Sequence, residues 1–120
     1  MPLSKFPISS ILIYVDNPTK GFIWYQKAFP EAKKRFVAEF DFEYLDYMGV
    51  MIEIVPADNQ VSSGAAGSVV YWLTDNFQKR LDHLLEVGAI LYRGPMNVEQ
   101  GFKMCQAKDL WGNCIGVEGK

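Results

Sequence analysis

The 120 residues hold a single histidine and only two cysteines. On a helical wheel His83 sits beside Arg80 and Asp82 rather than on the leucine stripe, a solvated position. That leaves neither a Ser/His/Asp arrangement nor a Cys–His nucleophile pair. Cys105 and Cys114 are too far apart for a Cys-x-x-Cys motif and too few for a disulfide framework, so they read as two thiols on sheet strands. No stretch approaches 18 consecutive apolar residues, and residues 1–7 lack the charged-then-apolar pattern of a leader. Both absences point to a cytoplasmic protein. Basic residues are not in excess either: 12 Lys and Arg against 14 Asp and Glu give a net charge of −2. Bulk attraction to nucleic acid or to an anionic membrane is therefore excluded. The glycine-rich stretch 56–67 contains neither GxxxxGK[ST] nor GxGxxG, so it has no phosphate-cradling role.

What is present is ordinary globular material, 49% hydrophobic and 22% charged. A chain of this length forms one domain, residues 1–120, and buries about two-thirds of its unfolded surface. Residues 8–15 (ISSILIYV) read as a strand with an aliphatic face of Ile11, Ile13 and Val15 and a mixed face of Ser10, Leu12 and Tyr14. Asp16-Asn17-Pro18 starts a helix over 19–29, with Phe22, Tyr25 or Gln26, and Phe29 at helical spacing and Trp24 to one side; Pro30 stops it. Residues 33–40, 41–48 and 49–55 follow as three short strands. After the polar linker 57–67 the order repeats. A strand over 68–73 precedes a helix start at Thr74-Asp75-Asn76, and Phe77, Leu81, Leu84 and Leu85 form one stripe ended by Gly88. Strands over 89–93, 102–108 and 113–117 complete the chain.

The last of these carries the clearest local signal. In AKDLWGNCIGVE (107–118), Asp109 can bond backbone groups ahead of it, Leu110-Trp111 form a type I corner, and Gly112 takes the left-handed conformation that closes a three-residue loop. A nearly parallel phrase, GVMIEIV, begins 63 residues earlier at Gly49, and the two helix starts are 59 residues apart. Two β-α-β-β-β modules, 8–56 and 68–118, thus point to an internal duplication and to an α+β fold.

The doubled pattern resembles the vicinal oxygen chelate superfamily, which includes glyoxalase I, bleomycin-resistance proteins and extradiol dioxygenases. The phrases that carry the likeness are VDNPTKGFIWY (15–25), TDNFQKRLDHLLEVGA (74–89) and GFKMCQAKDLWGNCIGV (101–117). The resemblance implies two modules related by a pseudo-twofold, a cup-shaped sheet with helices outside, and four inward side chains that ligate a metal in the metal-dependent members. Carried over, those positions are Ser10, Glu53, Val69 and Gly116; one residue of slip gives Ser9, Ile52, Ser68 and Ile115. Only Glu53 can ligate, and one carboxylate does not hold zinc or a related ion. No metal and no cofactor is therefore expected.

The metal-free bleomycin-resistance branch, whose dimers sequester a bulky cationic drug in an aromatic-lined acidic cleft, becomes the nearest kind. On strand parity Ser10, Leu12, Tyr14, Met51, Glu53, Tyr71, Cys114 and Glu118 face the cup as ligand-binding candidates, and parity places no lysine, arginine or histidine on the same strand faces. Ile11, Ile13, Ile52, Ile54, Ile115 and Val117 face the helices. The resemblance thus implies a metal-independent, homodimeric small-molecule-binding protein, sequestering an aromatic or cationic compound with Glu53 as polar anchor. The alternative is a glyoxalase-like lyase or isomerase in which Glu53, set between apolar neighbours, is the general base.

Overall fold

The computed structural model describes residues 8–120, and the chain divides between Ser62 and Ser63 into two compact units. In the first, β1 (Ser10–Val15) leads into α1 (Pro18–Ala28), followed by β2 (Lys33–Val37), β3 (Phe42–Tyr47) and β4 (Val50–Pro56). The second runs β5 (Val70–Thr74), α2 (Phe77–Glu86), β6 (Ile90–Asn97), β7 (Lys103–Lys108) and β8 (Cys114–Gly119). Each unit therefore has the β-α-β-β-β order read from the sequence, and the class is α+β. Each contains one open four-stranded sheet, β1-β4-β3-β2 or β5-β8-β7-β6. In both, the first and last strands pair in parallel and the remaining neighbours are antiparallel. No helix among the described residues is long and apolar enough to cross a membrane.

Both helices begin with the same device. The side chain of Asn17 accepts from the backbone N–H of Lys20 at 3.1 Å, and that of Asn76 from Lys79 at 3.0 Å, so each satisfies one of the donors a helix start leaves unpaired. Pro18 occupies the first turn of α1, where its missing N–H costs nothing. The buried stripe of α1 is Gly21, Trp24, Tyr25 and Ala28, not the expected Phe22–Tyr25–Phe29 series. Gly21 decides this: a Cβ there would come within 2.8 Å of Val15 and 2.9 Å of Ile54, so the helix lies close on the aliphatic face of β1 and β4. Trp24 turns inward, Phe22 is left half-buried, and Phe29 is buried beyond the helix end. Trp24 meets Tyr25 edge-on at 5.0 Å, and Phe29 meets Tyr47 of β3 edge-on at 5.8 Å, the arrangement ring quadrupoles favour.

In α2 the inward residues are Phe77, Arg80, Leu81 and Leu84, while Leu85 is 41% exposed. Arg80, expected on the wet side, is instead 7% exposed, and His83 beside it is only half-exposed. The spacing i, i+3, i+4, i+7 from Phe77 is as good a helical stripe as the leucines alone, and it carries Arg80 inward with it. Against this helix the second sheet presents Trp72, Cys105, Ala107, Ile115 and Val117, all buried.

Strand ends depart from the sequence reading where the chain turns. β2 stops at Val37, and residues 38–40 form a short 3-10 turn closed by Asp41 at φ 50°. β5 starts at Val70 rather than at Ser68, and β6 continues to Asn97, well past residue 93. The β7–β8 turn forms as read. The amide of Gly112, at φ 85°, bonds the Asp109 carbonyl at 3.3 Å, and Asp109 N–H donates to the Asn113 carbonyl at 2.9 Å. The Asp109 carboxylate, 4% exposed, accepts from the backbone N–H groups of Trp111 and Asn113, both at 2.8 Å, and from the Asn113 side chain at 3.0 Å.

Candidate functional site

Strand register fixes which side chains share a face, because directly paired residues point the same way and successive ones alternate. In the first sheet Ser10 pairs with Met51, Leu12 with Glu53, and Tyr14 with Val55. These residues occupy the face away from α1, whereas Ile11, Ile13, Ile52 and Ile54 share the face of Val15 that meets Gly21. Ser10, Leu12, Tyr14, Met51 and Glu53 are thus brought onto one surface, on which Leu12 is 44% exposed and Glu53 half-buried. The Glu53 carboxylate makes no ion pair with a described residue.

In the second sheet one row crosses all four strands: Tyr71 pairs with Gly116, Gly116 with Gln106, and Gln106 with Arg93. The neighbouring row is Leu73, Glu118, Met104 and Met96, and on the other side Cys114 pairs with Lys108 and Lys108 with Ile90. Tyr71, Cys114 and Glu118 therefore lie together on the face away from α2. The tyrosine is held firmly there. Its ring lies over Gly116, so close that a Cβ at 116 would be 2.5 Å from it, and its hydroxyl accepts from Gln106 Nε2 at 2.9 Å.

The edge strand β6 is irregular, with register shifts between Leu91 and Arg93 and between Arg93 and Met96. Each shift sets extra residues of β6 against β7, and such bulges re-aim side chains. The result is a cleft of about 470 Å³ within the second unit, lined chiefly by Tyr71, Tyr92, Arg93, Met96, Met104 and Gln106. That is within the range of small-molecule sites. The amino group of Lys108 sits 4.1 Å from the centre of the Tyr92 ring. Tyr92, Arg93, Met96, Met104 and Gln106 are absent from the candidates derived by parity. Gly94-Pro95 was the available signal, since glycine and proline inside a strand pattern mark a bulge.

One inference from parity is corrected outright. The faces away from the helices do carry basic groups: Arg93 and Lys108 in the second sheet, and Lys33 and Arg35 in the first, where they pair with Asp46 and Tyr44. Arg35 is itself engaged, with Nε 3.5 Å from the Asp46 carboxylate. The chelating set of the metal-dependent members does not fit these residues. Ser10 pairs with Met51 rather than Glu53, Val69 precedes β5, and the space a side chain at 116 would need is taken by the Tyr71 ring. Among the described residues no three His, Cys, Asp or Glu side chains cluster to hold an ion.

No family model matches the sequence, and no curated protein does. Solved structures do match. One is a glyoxalase/bleomycin resistance protein/dioxygenase family enzyme from Burkholderia phytofirmans PsJN, with TM-score 0.74 at 16% identity, covering 92% of this chain and 96% of that one. A member of the same superfamily from Sphaerobacter thermophilus DSM 20745 has TM-score 0.74 at 15% identity, covering 94% and 96%. TioX from Micromonospora sp. ML1 has TM-score 0.69 at 14% identity, covering 95% and 98%. At such identities the likeness speaks for architecture, and it agrees with the strand order and pairing described above. The chain has the fold of the glyoxalase/bleomycin resistance/dioxygenase superfamily.

Proposed function

We propose that this protein binds a small organic molecule with aromatic character, without a metal, on the sheet faces that its helices leave uncovered. The observation that carries the reading is the cleft beside β6, where a tyrosine, two methionines and a second tyrosine line about 470 Å³ of concave space. Polarizable thioethers and ring faces suit a flat apolar partner. Chelation is disfavoured by the same geometry, because Tyr71 stands over the one residue of β8 at which a ligand would be expected. The described lining residues offer no nucleophile–base pair, which favours binding over nucleophilic catalysis in this cleft.

Glu53 supports a narrower reading. A half-buried carboxylate flanked on its face by Leu12 and Met51 suits a cationic group, or a proton transfer in a glyoxalase-like lyase or isomerase. We favour the first, because Glu53 makes no ion pair with a described residue and is left to meet a cation.

A calorimetric titration with a panel of small aromatic compounds, spanning cationic, neutral and anionic members, tests the proposal. At least one member should bind with Kd below about 1 mM. A flat response across the panel contradicts it. Glu53→Gln should weaken cationic members by about tenfold and leave the others unchanged if Glu53 is the anchor.

A further inference from the structure

We infer that the cleft of the second unit is built for a planar aromatic anion, with a carboxylate or similar group held by Arg93 and its ring lying along Tyr71 and the methionines. The inference rests on the binding function proposed above and adds the sign of the charge and the residues that read it. Arg93 lines the cleft, is exposed, and makes no ion pair with a described residue. None of the described residues that line the cleft is acidic. A guanidinium offers a planar fork of donors that matches a carboxylate in two parallel hydrogen bonds.

The row across the sheet supplies a second donor. Arg93 pairs with Gln106, and Gln106 donates to the Tyr71 hydroxyl at 2.9 Å. Because that oxygen accepts from Gln106, its own proton is available to an anion on the same side. Lys108, against the Tyr92 ring at 4.1 Å, adds a second positive charge to the face. Glu118 opposes them from the adjacent row, where it pairs with Met104. It falls on the row of Leu73 and Met96, beside the apolar part of the cleft rather than in the row of Arg93. An elongated ligand with one charged end therefore has a preferred direction: anion toward Arg93, uncharged ring toward Met96 and Met104.

Three compounds that share one ring system separate charge from shape: 2-naphthoate, 2-naphthalenemethanol and 2-naphthylmethylammonium, each titrated calorimetrically into the intact chain at low salt. The carboxylate should bind about tenfold tighter than the alcohol, and in Glu53→Gln, where the first sheet offers no carboxylate to a cation, the ammonium should be the weakest of the three. In Arg93→Gln that advantage should vanish while the alcohol binds as before, and Arg93→Lys should keep part of it, since it retains the charge but not the fork. An ammonium that binds as well as the carboxylate in Glu53→Gln, which lacks the first sheet's candidate anchor, overturns the inference and leaves the binding function standing. So does an Arg93→Gln variant that still prefers the carboxylate. Failure of all three to bind below about 1 mM overturns both. The carboxylate's advantage over the alcohol in the wild-type chain tests the inference even if no variant folds.

Discussion

Gly116 and Tyr71 show how one missing side chain makes a binding wall. With only hydrogen at 116, the tyrosine ring settles onto β8 and its hydroxyl reaches Gln106. Gly116→Ala would place a methyl 2.5–2.8 Å from three ring carbons, so the ring must move. We expect a loss of about 1–3 kcal/mol in urea unfolding together with weaker ligand binding. An alanine variant as stable as wild type would show that the ring is not seated there. The two thiols should also differ. Cys105 is 2% exposed and burial raises its pKa above the ordinary 9.0, whereas Cys114 is half-exposed. A thiol reagent at about pH 8 should label Cys114 first, and labelling of Cys105 should require unfolding.

The sign of the pH effect follows from the same shift. Folding favours the neutral thiol of Cys105, so its contribution to stability is intact below the unfolded value of 9.0 and is lost as pH rises through the higher folded value. The fall in urea midpoint from roughly pH 8 to pH 10 should be smaller in Cys105→Ala than in wild type. An equal fall in both would remove Cys105 as a cause. Side-chain direction on the regular strands was legible in the sequence, because period-2 alternation leaves little choice. It placed Leu12 with Glu53 and Tyr71 with Cys114 on the faces that register confirms. Arg93 was not legible, since a bulge breaks the alternation that parity counts on.

At the level of elements, the helix caps and the β7–β8 turn could be read directly, because each depends on a few adjacent residues with strong local hydrogen-bonding preferences. Asp109→Ala strips the acceptor from two backbone N–H groups and one amide in a nearly buried turn. We expect it to cost about 1–3 kcal/mol, measurable in urea unfolding. The inward faces of the helices were only partly legible. Propensity and hydrophobicity do not reveal that Gly21 sets the approach of α1, nor that Arg80 turns inward with Phe77 and Leu84. Gly21→Ala separates the two influences. Helix propensity alone would favour it by about 1 kcal/mol. The contacts at 2.8 and 2.9 Å with Val15 and Ile54 predict a net loss instead, and a stabilised variant would contradict the close packing described.

For the whole molecule, the duplication extends to register. Leu12 and Glu53 are partners in one sheet, Tyr71 and Gly116 in the other, displaced by the same 59 and 63 residues that relate the sequence phrases. Val15 with Pro56 and Thr74 with Gly119 keep those offsets at the far end of the parallel pair. We propose a duplicated origin for the units on this basis. We also propose a homodimer: Phe36 is 55% exposed, Phe40 72% and Met48 68%, apolar surface that a partner copy would cover. Light scattering at micromolar concentration should give twice the 13.6 kDa chain mass, and a monomer would count against it.

Binding on the uncovered sheet face is the central claim, and an amide chemical-shift map made while 2-naphthoate is titrated into labelled protein tests it most directly. The largest shifts should fall at Tyr71, Arg93, Met96, Met104, Gln106 and Gly116, the rows beneath the cleft. Shifts confined to α1, α2 or the turns, or none up to millimolar ligand with 2-naphthoate, 2-naphthalenemethanol and 2-naphthylmethylammonium alike, would contradict it.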